Sequence, residues 1–223
     1  MSYNFRFSAL APYTGEIVTG VLLTLQLSLV TMLMGLVIGL FVALGSTSPL
    51  QSIRIPVRVY VEAIRNTPLL VQLFIVFFGL PSLGIRLDAN VAAVVGLSIN
   101  VGAYCGEILR AGFESIRPSQ IEAGRALGMT AGQTFRNVVL FQAVKAIYPA
   151  LTSQFVLLLL ATSVVSSIGA TELFHQAAFI DSRTYRSFEA YTLVTLAYLG
   201  MTLVIRAMFS AIYWLVFVRR PRA

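Results

Sequence analysis

The chain has 223 residues, of which 57% are hydrophobic and 11% charged, and its formal net charge is +7. This composition is far more apolar than a soluble domain needs to bury its core, so a soluble domain is excluded and an integral membrane protein is indicated. The single cysteine excludes an internal disulfide and the single histidine excludes a His-rich metal cluster, so we predict no metal site.

The excess of positive charge has two interpretations. A basic stripe with aromatic platforms would indicate nucleic-acid binding, whereas arginines that flank apolar runs orient membrane helices. Most of the arginines in this chain flank apolar runs. We therefore predict an environment of membrane lipid and no nucleic-acid partner.

Apolar segments follow one another too closely to leave room for a separate soluble domain. A spanning helix needs roughly 20 apolar residues, and on this basis we predict an all-α integral membrane protein with one transmembrane domain over residues 1–223. Its five transmembrane helices are predicted over residues 17–44, 57–80, 91–109, 144–168 and 190–218.

Two of these predicted helices carry local features that affect packing. The first contains Gly35 and Gly39, whose G-x-x-x-G spacing indicates a close-packing face, with a dimer contact as one alternative. The second joins an amphipathic approach over 57–67 to an apolar run that begins at Leu69. Pro68 lies between them, where a continuous helix would kink or begin.

Lysines and arginines cluster on alternate sides of the predicted helices. They follow the first helix, follow the third helix and end the chain, whereas the opposite loops have no positive excess. Because cytoplasmic loops carry the excess of positive charge, we predict an external N-terminus, a cytoplasmic C-terminus and a cytoplasmic loop over 110–143. The first dozen residues have no cleavage pattern, so the first helix is expected to serve as the insertion signal.

The predicted cytoplasmic loop contains the polar block IEAGRALGMTAGQT, residues 121–134. Ser119 followed by Glu122 predicts a capping box at the start of a short helix, and Gly128 predicts its left-handed end. Thr130 followed by Gln133 predicts a second capping box, which starts the helix that leads into the fourth span.

The first helix of this block is too short to be stable alone in water. We expect Ile121 and Leu127 to pack against another surface while Glu122 and Arg125 face outward. A solvated loop helix without a partner is an alternative that the spacing alone leaves open.

Polar side chains inside the spans are costly in lipid, so they commonly face a protein interior or a transport pathway. Four hydroxyls in the fourth span have a spacing that places them on one face of an α-helix. They could line a pathway, or they could bond back to their own helix. Together with two glutamines, the pathway candidates are Gln72, Gln154, Thr162, Ser163, Ser166 and Ser167.

Arg206 lies about 13 residues before Arg219, or roughly 20 Å of helix from the cytoplasmic end, which places it near the middle of the membrane. An unpaired arginine at that depth is costly. We consider two roles for it: a structural ion pair with a carboxylate of another helix, or a pathway residue that meets a substrate carboxylate.

Several motifs match one family in order and spacing. They are Glu122-Ala123-Gly124 with Gly128 four residues later, RNTPLLVQLFIVFFGLP at 65–81, AYCGEILRAGFESI at 103–116 and TSVVSSIGATELF from residue 162. These motifs resemble the membrane subunits of ABC importers, and in particular the polar amino-acid permease branch, over roughly residues 14–219.

The resemblance implies a coupling helix that docks on a cytoplasmic ABC ATPase dimer and is formed by Glu122, Ala123, Gly124, Arg125 and Gly128. It also implies a second permease subunit, identical or homologous, an external solute-binding protein, a polar amino acid or similar substrate, and a bacterial plasma (inner) membrane location. The chain has no G-x-x-x-x-G-K-[ST] motif, so it needs no cofactor itself, and ATP with Mg²⁺ would bind to the ATPase. The family more often has alanine at position 124 and glycine at position 119.

Two other functions were weighed against this one. A stand-alone secondary transporter or channel would work without an ATPase, but five spans without inverted halves fit it poorly. A membrane-embedded serine enzyme would need a base, yet the only histidine, His175, lies in a predicted external loop and no G-x-S-x-G motif is present. We therefore predict no catalytic residues and favour an importer permease.

Overall fold

A computed structural model describes residues 4–219, and within that range the regular secondary structure is entirely helical. The predicted all-α class is confirmed for these residues. A 3₁₀ turn over Phe7–Tyr13 precedes the first helix. The α-helices, numbered in chain order, are α1 (Thr14–Ser46), α2 (Gln51–Arg65), α3 (Leu69–Phe74), α4 (Ala89–Glu114), α5 (Pro118–Ala126), α6 (Ala131–Thr134), α7 (Leu140–Ala161), α8 (Leu173–Thr184) and α9 (Ser187–Tyr213).

Four helical stretches of the described chain are long and apolar enough to cross a membrane, and a bent pair of helices could supply a fifth span. The four stretches overlap the first, third, fourth and fifth predicted spans and cover Phe7–Ser46, Ala89–Glu114, Ala131–Ile168 and Ser187–Val218. The helix of the third predicted span, Ala89–Glu114, extends past its predicted end at residue 109. Ion pairs of Arg110 with Glu107 and Glu114 stabilise its last turns. Much of the predicted loop over 110–143 is therefore helical.

The predicted second span over 57–80 is not one straight helix. The helices Gln51–Arg65 and Leu69–Leu83 meet at an angle of 110°. Thr67 precedes Pro68, whose ring disfavours helical geometry at the residue before it, and Pro68 itself is the extended N-cap of α3. The amphipathic approach is thus a separate helix, and the part after Pro68 runs beside α4.

Four glycines, Gly35 and Gly39 of α1 and Gly102 and Gly106 of α4, bring the two helices close together. A Cβ atom built on Gly39 would lie 2.7 Å from the Cβ of Cys105, and one built on Gly106 would lie 2.3 Å from a methyl group of Val42. Gly35 meets Val101 in the same way. The predicted G-x-x-x-G face is therefore buried against α4 of the same chain, so the alternative of a dimer contact through it is wrong.

The sequence analysis did not predict α8. This helix packs beside α1, where Gly20 leaves room for the backbone of Leu173. Leu173, Ala177 and Ile180 form its buried face, at i, i+4 and i+7. His175, predicted to lie in an external loop, is half-buried in the first turn of α8.

Candidate coupling helix and polar sites between the spans

The short helix α5 begins two residues earlier than predicted. Arg117 is its N-cap residue and makes no capping hydrogen bond through its side chain, and Pro118 occupies the first turn. Proline suits that position because its fixed φ is helical and it has no N–H to satisfy. The predicted Ser119–Glu122 capping box is therefore wrong, since Ser119 lies inside the first turn.

The end of α5 and the start of α6 follow the sequence signals. Gly128 has a φ of +76°, the left-handed conformation that ends the helix. The Thr130 hydroxyl accepts a hydrogen bond from the Gln133 amide, and the Gln133 side chain accepts one from the Thr130 amide. The predicted second capping box is confirmed.

One side of α5 packs inside the chain and the other is exposed. Ile121 contacts a small core cluster formed by Ile116, Val139 and Ala143, which ties α5 to the start of the fourth long helix. Leu127 is 82% exposed, so of the two residues expected to pack against another surface only Ile121 does so within the described part of the chain. The exposed side also carries the charges and small residues predicted for coupling, namely Glu122, Ala123, Arg125 and Gly128.

Gly124 is the one predicted coupling residue that is buried. A Cβ atom at this position would lie 3.1 Å from the methyl group and 3.3 Å from the hydroxyl of Thr134, closer than ordinary van der Waals contact. Thr134 is itself buried, and its hydroxyl has no hydrogen-bond partner within residues 4–219. The Thr134 side chain thus occupies the space that an alanine methyl at position 124 would need.

The four hydroxyls of the fourth long helix do not share one face. The helix tightens into a 3₁₀ helix over Thr162–Ile168, and three residues per turn instead of 3.6 spread these side chains around the axis. Each hydroxyl donates to the carbonyl three residues earlier, at 2.7 Å for Thr162 and 2.8 Å for Ser163. Ser166 and Ser167 do the same. Of the two roles considered for these hydroxyls, the structure shows hydrogen bonds to the backbone of their own helix.

The side chain of Gln72 forms hydrogen bonds across the bend between α2 and α3. Its side-chain amide donates to the Ile64 carbonyl at 2.8 Å and to the Thr67 hydroxyl at 2.9 Å, and its oxygen accepts from Asn100 of α4 at 2.9 Å. Gln72 is only 8% exposed. These bonds give it a structural role that the sequence analysis missed. Gln154, the other glutamine candidate, is half-buried on α7.

Arg206 is exposed on α9 and lines a groove between α7 and α9 with a volume of about 360 Å³. Its polar neighbours there include Thr152, Ser153 and Ser210. No carboxylate within residues 4–219 forms an ion pair with Arg206. The predicted pair with a carboxylate of another helix is thus not present in the described part of the chain.

A buried polar cluster around Glu172 was also missed by the sequence analysis. The Glu172 carboxylate accepts hydrogen bonds from the amides of Phe174 and His175 and so caps α8. It also accepts from the Tyr198 hydroxyl of α9, while the Leu173 amide donates to Thr24 of α1 at 3.1 Å. Burial raises the pKa of Glu172, and the hydrogen bonds that it accepts act in the opposite direction. An acidic residue before the i, i+4, i+7 apolar pattern of α8 was the available signal.

Comparison with known proteins identifies the kind of molecule to which these features belong. The chain matches the family described as "Binding-protein-dependent transport system inner membrane component" over residues 35–219. The chain belongs to this family. It is a multi-pass inner-membrane permease subunit of an ABC transporter, and the predicted class of function is confirmed.

Curated relatives cover most of the permease. The L-cystine transport system permease protein TcyB of Bacillus subtilis (strain 168) is 38% identical over 88% of this chain and 78% of its own. The arginine transport system permease protein ArtQ of the same organism is 35% identical over 91% and 93%. The octopine transport system permease protein OccM of Rhizobium radiobacter is 32% identical over 92% and 87%.

Solved structures share the fold of the permease. A chain from the "Crystal structure of an amino acid ABC transporter with histidines" superposes with a TM-score of 0.89 at 39% identity, covering 95% of this chain and 99% of that one. A chain of the MetNI methionine ABC transporter in an inward-facing conformation has a TM-score of 0.75 at 23% identity, covering 91% and 96%. Because its identity is only 23%, the similarity to the MetNI chain supports the fold and nothing further.

Proposed function

We propose that this permease moves a polar amino acid or a related small solute inward across the membrane, driven by a separate cytoplasmic ATPase. The relatives named above are permeases for cystine, arginine and octopine, and a similar structure is an amino acid transporter. An external binding protein would deliver the solute. A second permease subunit, identical or homologous, would complete the membrane part.

The observation that carries the proposal is the half-covered helix α5. Its Ile121 side is packed against the chain, while Glu122, Ala123 and Arg125 are exposed. A nine-residue helix gains little stability from its own hydrogen bonds, so its fixed position comes from tertiary contacts. An exposed small residue between charged ones lets a partner approach closely, which suits insertion into a cleft of the ATPase.

The proposed orientation places α5 and the end of α9 in the cytoplasm and the start of α1 outside. It rests on the positive-inside rule, since residues 110–145 around α5 contain five lysine and arginine residues against two acidic ones. Labelling of single cysteines from either side of sealed vesicles tests this orientation.

Among the predicted pathway residues, Arg206 is the strongest candidate for binding solute. Its guanidinium is exposed in a groove that also contains hydroxyl groups, and a carboxylate of an amino acid would satisfy it. Thr162 and the three serines donate their hydroxyl protons to backbone carbonyls, so each could bind solute only by accepting a hydrogen bond from it.

Uptake into proteoliposomes tests the proposed energy source. The permease is reconstituted with a candidate ATPase and a candidate binding protein, and uptake of labelled arginine, glutamine and cystine is measured with ATP, with a non-hydrolysable analogue, and with each partner withheld. We expect uptake only when all components and ATP are present. Uptake that continues without ATP would favour the stand-alone transporter or channel and overturn the proposal.

A charge reversal on α5 tests the coupling role. Glu122→Lys is expected to abolish most solute-stimulated ATP hydrolysis, or the association with the ATPase, while leaving membrane insertion intact. Glu62→Lys makes the same charge change at an exposed position on α2 and serves as the matched control. Equal losses in both variants would argue against a specific role for α5.

A further inference from the structure

The turn between α8 and α9 contains a tyrosine in a strained backbone conformation. Tyr185 and Arg186 alone separate the two helices. Tyr185 has a φ of +54° and a ψ of +33°, and it is the only residue other than glycine with a positive φ among residues 4–219. A Cβ atom raises the free energy of this left-handed conformation, which glycine usually adopts at helix ends. The chain thus has a tyrosine where glycine would fold with less strain.

No contact of the Tyr185 side chain within the described part of the chain offsets this strain. The side chain is 87% exposed. A large aromatic ring left in water also lacks the stabilisation that burial of its surface would supply. Residues that keep a strained backbone conformation are concentrated at ligand-binding and switch regions. The conformation and exposure of Tyr185 therefore indicate that its ring acts on a molecule outside the chain.

Hydrogen bonds on both sides of Tyr185 hold the turn in place. The Tyr185 amide donates to the Asp181 carbonyl at 2.8 Å, and the Ser187 hydroxyl donates to the Asp181 carboxylate at 2.8 Å. The Arg186 guanidinium donates to the carbonyl of Asn4 at 3.0 Å. Because the backbone of the turn is fixed before a partner arrives, binding of the ring costs little conformational entropy.

The path of α8 carries this turn beyond the lipid. At the start of α8, the Leu173 amide donates to the Thr24 hydroxyl of α1 at 3.1 Å, and nearer its end Ile180 packs against Leu10. The helix therefore runs beside α1 toward the N-terminal end of the chain. Leu10 precedes the predicted start of the first span at residue 17 by about 10 Å of helix, and Tyr185 follows Ile180 further out. The headgroup region on one side of a bilayer is about 5–8 Å thick, so the ring lies in water.

The exposed side chains that adjoin Tyr185 in the chain are polar or charged. Ser182 and Arg183 precede it and Ser187 follows it, and all three are exposed. The Arg183 guanidinium lies over the Phe179 ring, 5.3 Å from its centroid, and forms no ion pair within residues 4–219. Tyrosine and arginine are the residue types enriched at the centres of protein interfaces, where they contribute most of the binding energy.

We propose that Tyr185 and Arg183 are the docking point of this permease for the external solute-binding protein. The ring enters an apolar pocket on the surface of that protein, and the guanidinium pairs with a carboxylate beside the pocket. The family is described as binding-protein-dependent, so its members meet a partner of this kind. The inference rests on the proposed function, in which a binding protein delivers the solute, and on the proposed orientation, which places the turn outside.

A soluble protein that binds and dissociates fits this turn better than lipid or a permanent subunit does. Lipid is too far away, as the contact of Ile180 with Leu10 shows. A permanent subunit contact buries a large apolar surface, whereas the side chains beside Tyr185 are polar. The nearest exposed apolar residue along the chain, Phe188, already packs against Phe5 with ring centroids 5.1 Å apart. One aromatic anchor with a polar rim is typical of a transient interface.

Binding measurements on the assembled transporter in nanodiscs test the role of the ring. The probe is the binding protein that supports uptake in proteoliposomes, and its Kd is measured by biolayer interferometry. Tyr185→Gly removes the ring and relieves the backbone strain, so we expect about 30-fold weaker binding with a thermal stability equal to or above that of the parent. Tyr185→Phe keeps the ring and should bind within about fivefold of the parent.

The matched control is Leu83→Ala, which removes a large side chain that is 76% exposed in the loop after α3. It should bind as tightly as the parent. An unchanged Kd in Tyr185→Gly, or an equal loss in Leu83→Ala, would overturn the inference. If no binding protein supports uptake, the proposed function fails and this inference falls with it. A working transporter whose Kd does not respond to Tyr185→Gly overturns this inference alone.

Salt dependence tests the part played by Arg183. Arg183→Gln should weaken binding about threefold at low ionic strength and flatten its dependence on salt, because an exposed ion pair is screened. Arg86→Gln removes an exposed arginine from the loop after α3 and should leave both unchanged. A salt dependence in Arg183→Gln equal to that of the parent would overturn the proposed ion pair.

Photocrosslinking identifies the molecule that contacts the ring. Tyr185 is replaced by the photoreactive amino acid p-benzoylphenylalanine in the assembled transporter, which is irradiated with and without the binding protein. We expect a cross-link to the binding protein. A cross-link only to the second permease subunit, or only to lipid, would overturn the inference.

Discussion

The contact between Gly124 and Thr134 allows the geometry of the coupling helix to be tested with a double-mutant cycle. Replacing glycine by alanine inside a helix gains about 1 kcal/mol in backbone propensity. In this chain the new methyl would lie 3.1 Å from the Thr134 methyl, and forcing extra volume into a packed site costs about 1–3 kcal/mol. We therefore expect Gly124→Ala alone to destabilise α5 by about 1 kcal/mol.

Removing the obstacle should reverse the sign of the effect. In the Thr134→Ala background the alanine at 124 has room, so the full propensity gain of about 1 kcal/mol should return. The difference between the two backgrounds is then about 2 kcal/mol, within the range observed for residues in contact. Thr134→Ala also removes a buried hydroxyl that has no hydrogen-bond partner within residues 4–219.

Amide hydrogen exchange measured by mass spectrometry on peptides from residues 118–134 reports the free energy of local opening of α5. A change of 1 kcal/mol corresponds to about a fivefold change in exchange rate. The matched control is Gly132→Ala, because a Cβ at Gly132 meets nothing within 4 Å, and its effect should add to that of Thr134→Ala. Additive effects at Gly124 and Thr134, within about 0.5 kcal/mol, would refute the steric reasoning.

Two further predictions concern helix packing and the buried carboxylate. Gly106→Val should prevent α1 from approaching α4 and abolish assembly, whereas Gly200→Val, at a glycine with nothing within 4 Å, should assemble normally in size-exclusion chromatography. Glu172→Ala leaves three donors without an acceptor and should cost about 2–3 kcal/mol or more, whereas Glu172→Gln, which keeps an acceptor oxygen, should cost less. The pKa of Glu172 is raised in the folded state, so the folded state binds the carboxyl proton more tightly than the unfolded state does. The free energy of unfolding should therefore fall as the pH rises from the ordinary glutamate pKa through the raised pKa of Glu172. Thermal unfolding in nanodiscs between pH 4 and 8 measures this slope, and a slope in Glu172→Gln equal to that of the parent would contradict the assignment.

The sequence predicted those parts of the fold that depend on local chemistry. Gly128 and the Thr130–Gln133 box use backbone geometry and hydrogen bonds within four residues, so their outcome does not depend on the rest of the molecule. The Ser119 prediction failed because two start signals overlapped, and Pro118 was already suited to the first helical position. The family motifs identified the class of protein without specifying any of these contacts.

The features of the candidate site that the sequence did not predict come from effects that act between elements or change helical geometry. The four hydroxyls were assigned to one face on the assumption of 3.6 residues per turn, which fails over Thr162–Ile168. The sequence could not show that the side chain of Gln72 is hydrogen-bonded within the chain, because its partners Ile64 and Asn100 lie on the far side of a bend and on another helix. The sequence does not distinguish a glutamine whose side chain is hydrogen-bonded within the chain from one that faces solute.

Most of the polar residues considered for solute binding already form hydrogen bonds within the chain, which leaves few of them free to bind solute. Glu172 and Gln72 are bonded within the chain, and the hydroxyl protons of the fourth long helix are donated to its own backbone. Arg206 differs, because it is exposed in the groove between α7 and α9 without an ion-pair partner in residues 4–219. At the depth predicted for Arg206, near the middle of the membrane, a guanidinium needs an anionic or carbonyl partner or a water-filled space. We infer that its partner comes from outside this chain, either a solute carboxylate or the second permease subunit. Arg206→Gln separates the two, since normal assembly with lost uptake indicates solute binding and lost assembly indicates a contact between subunits.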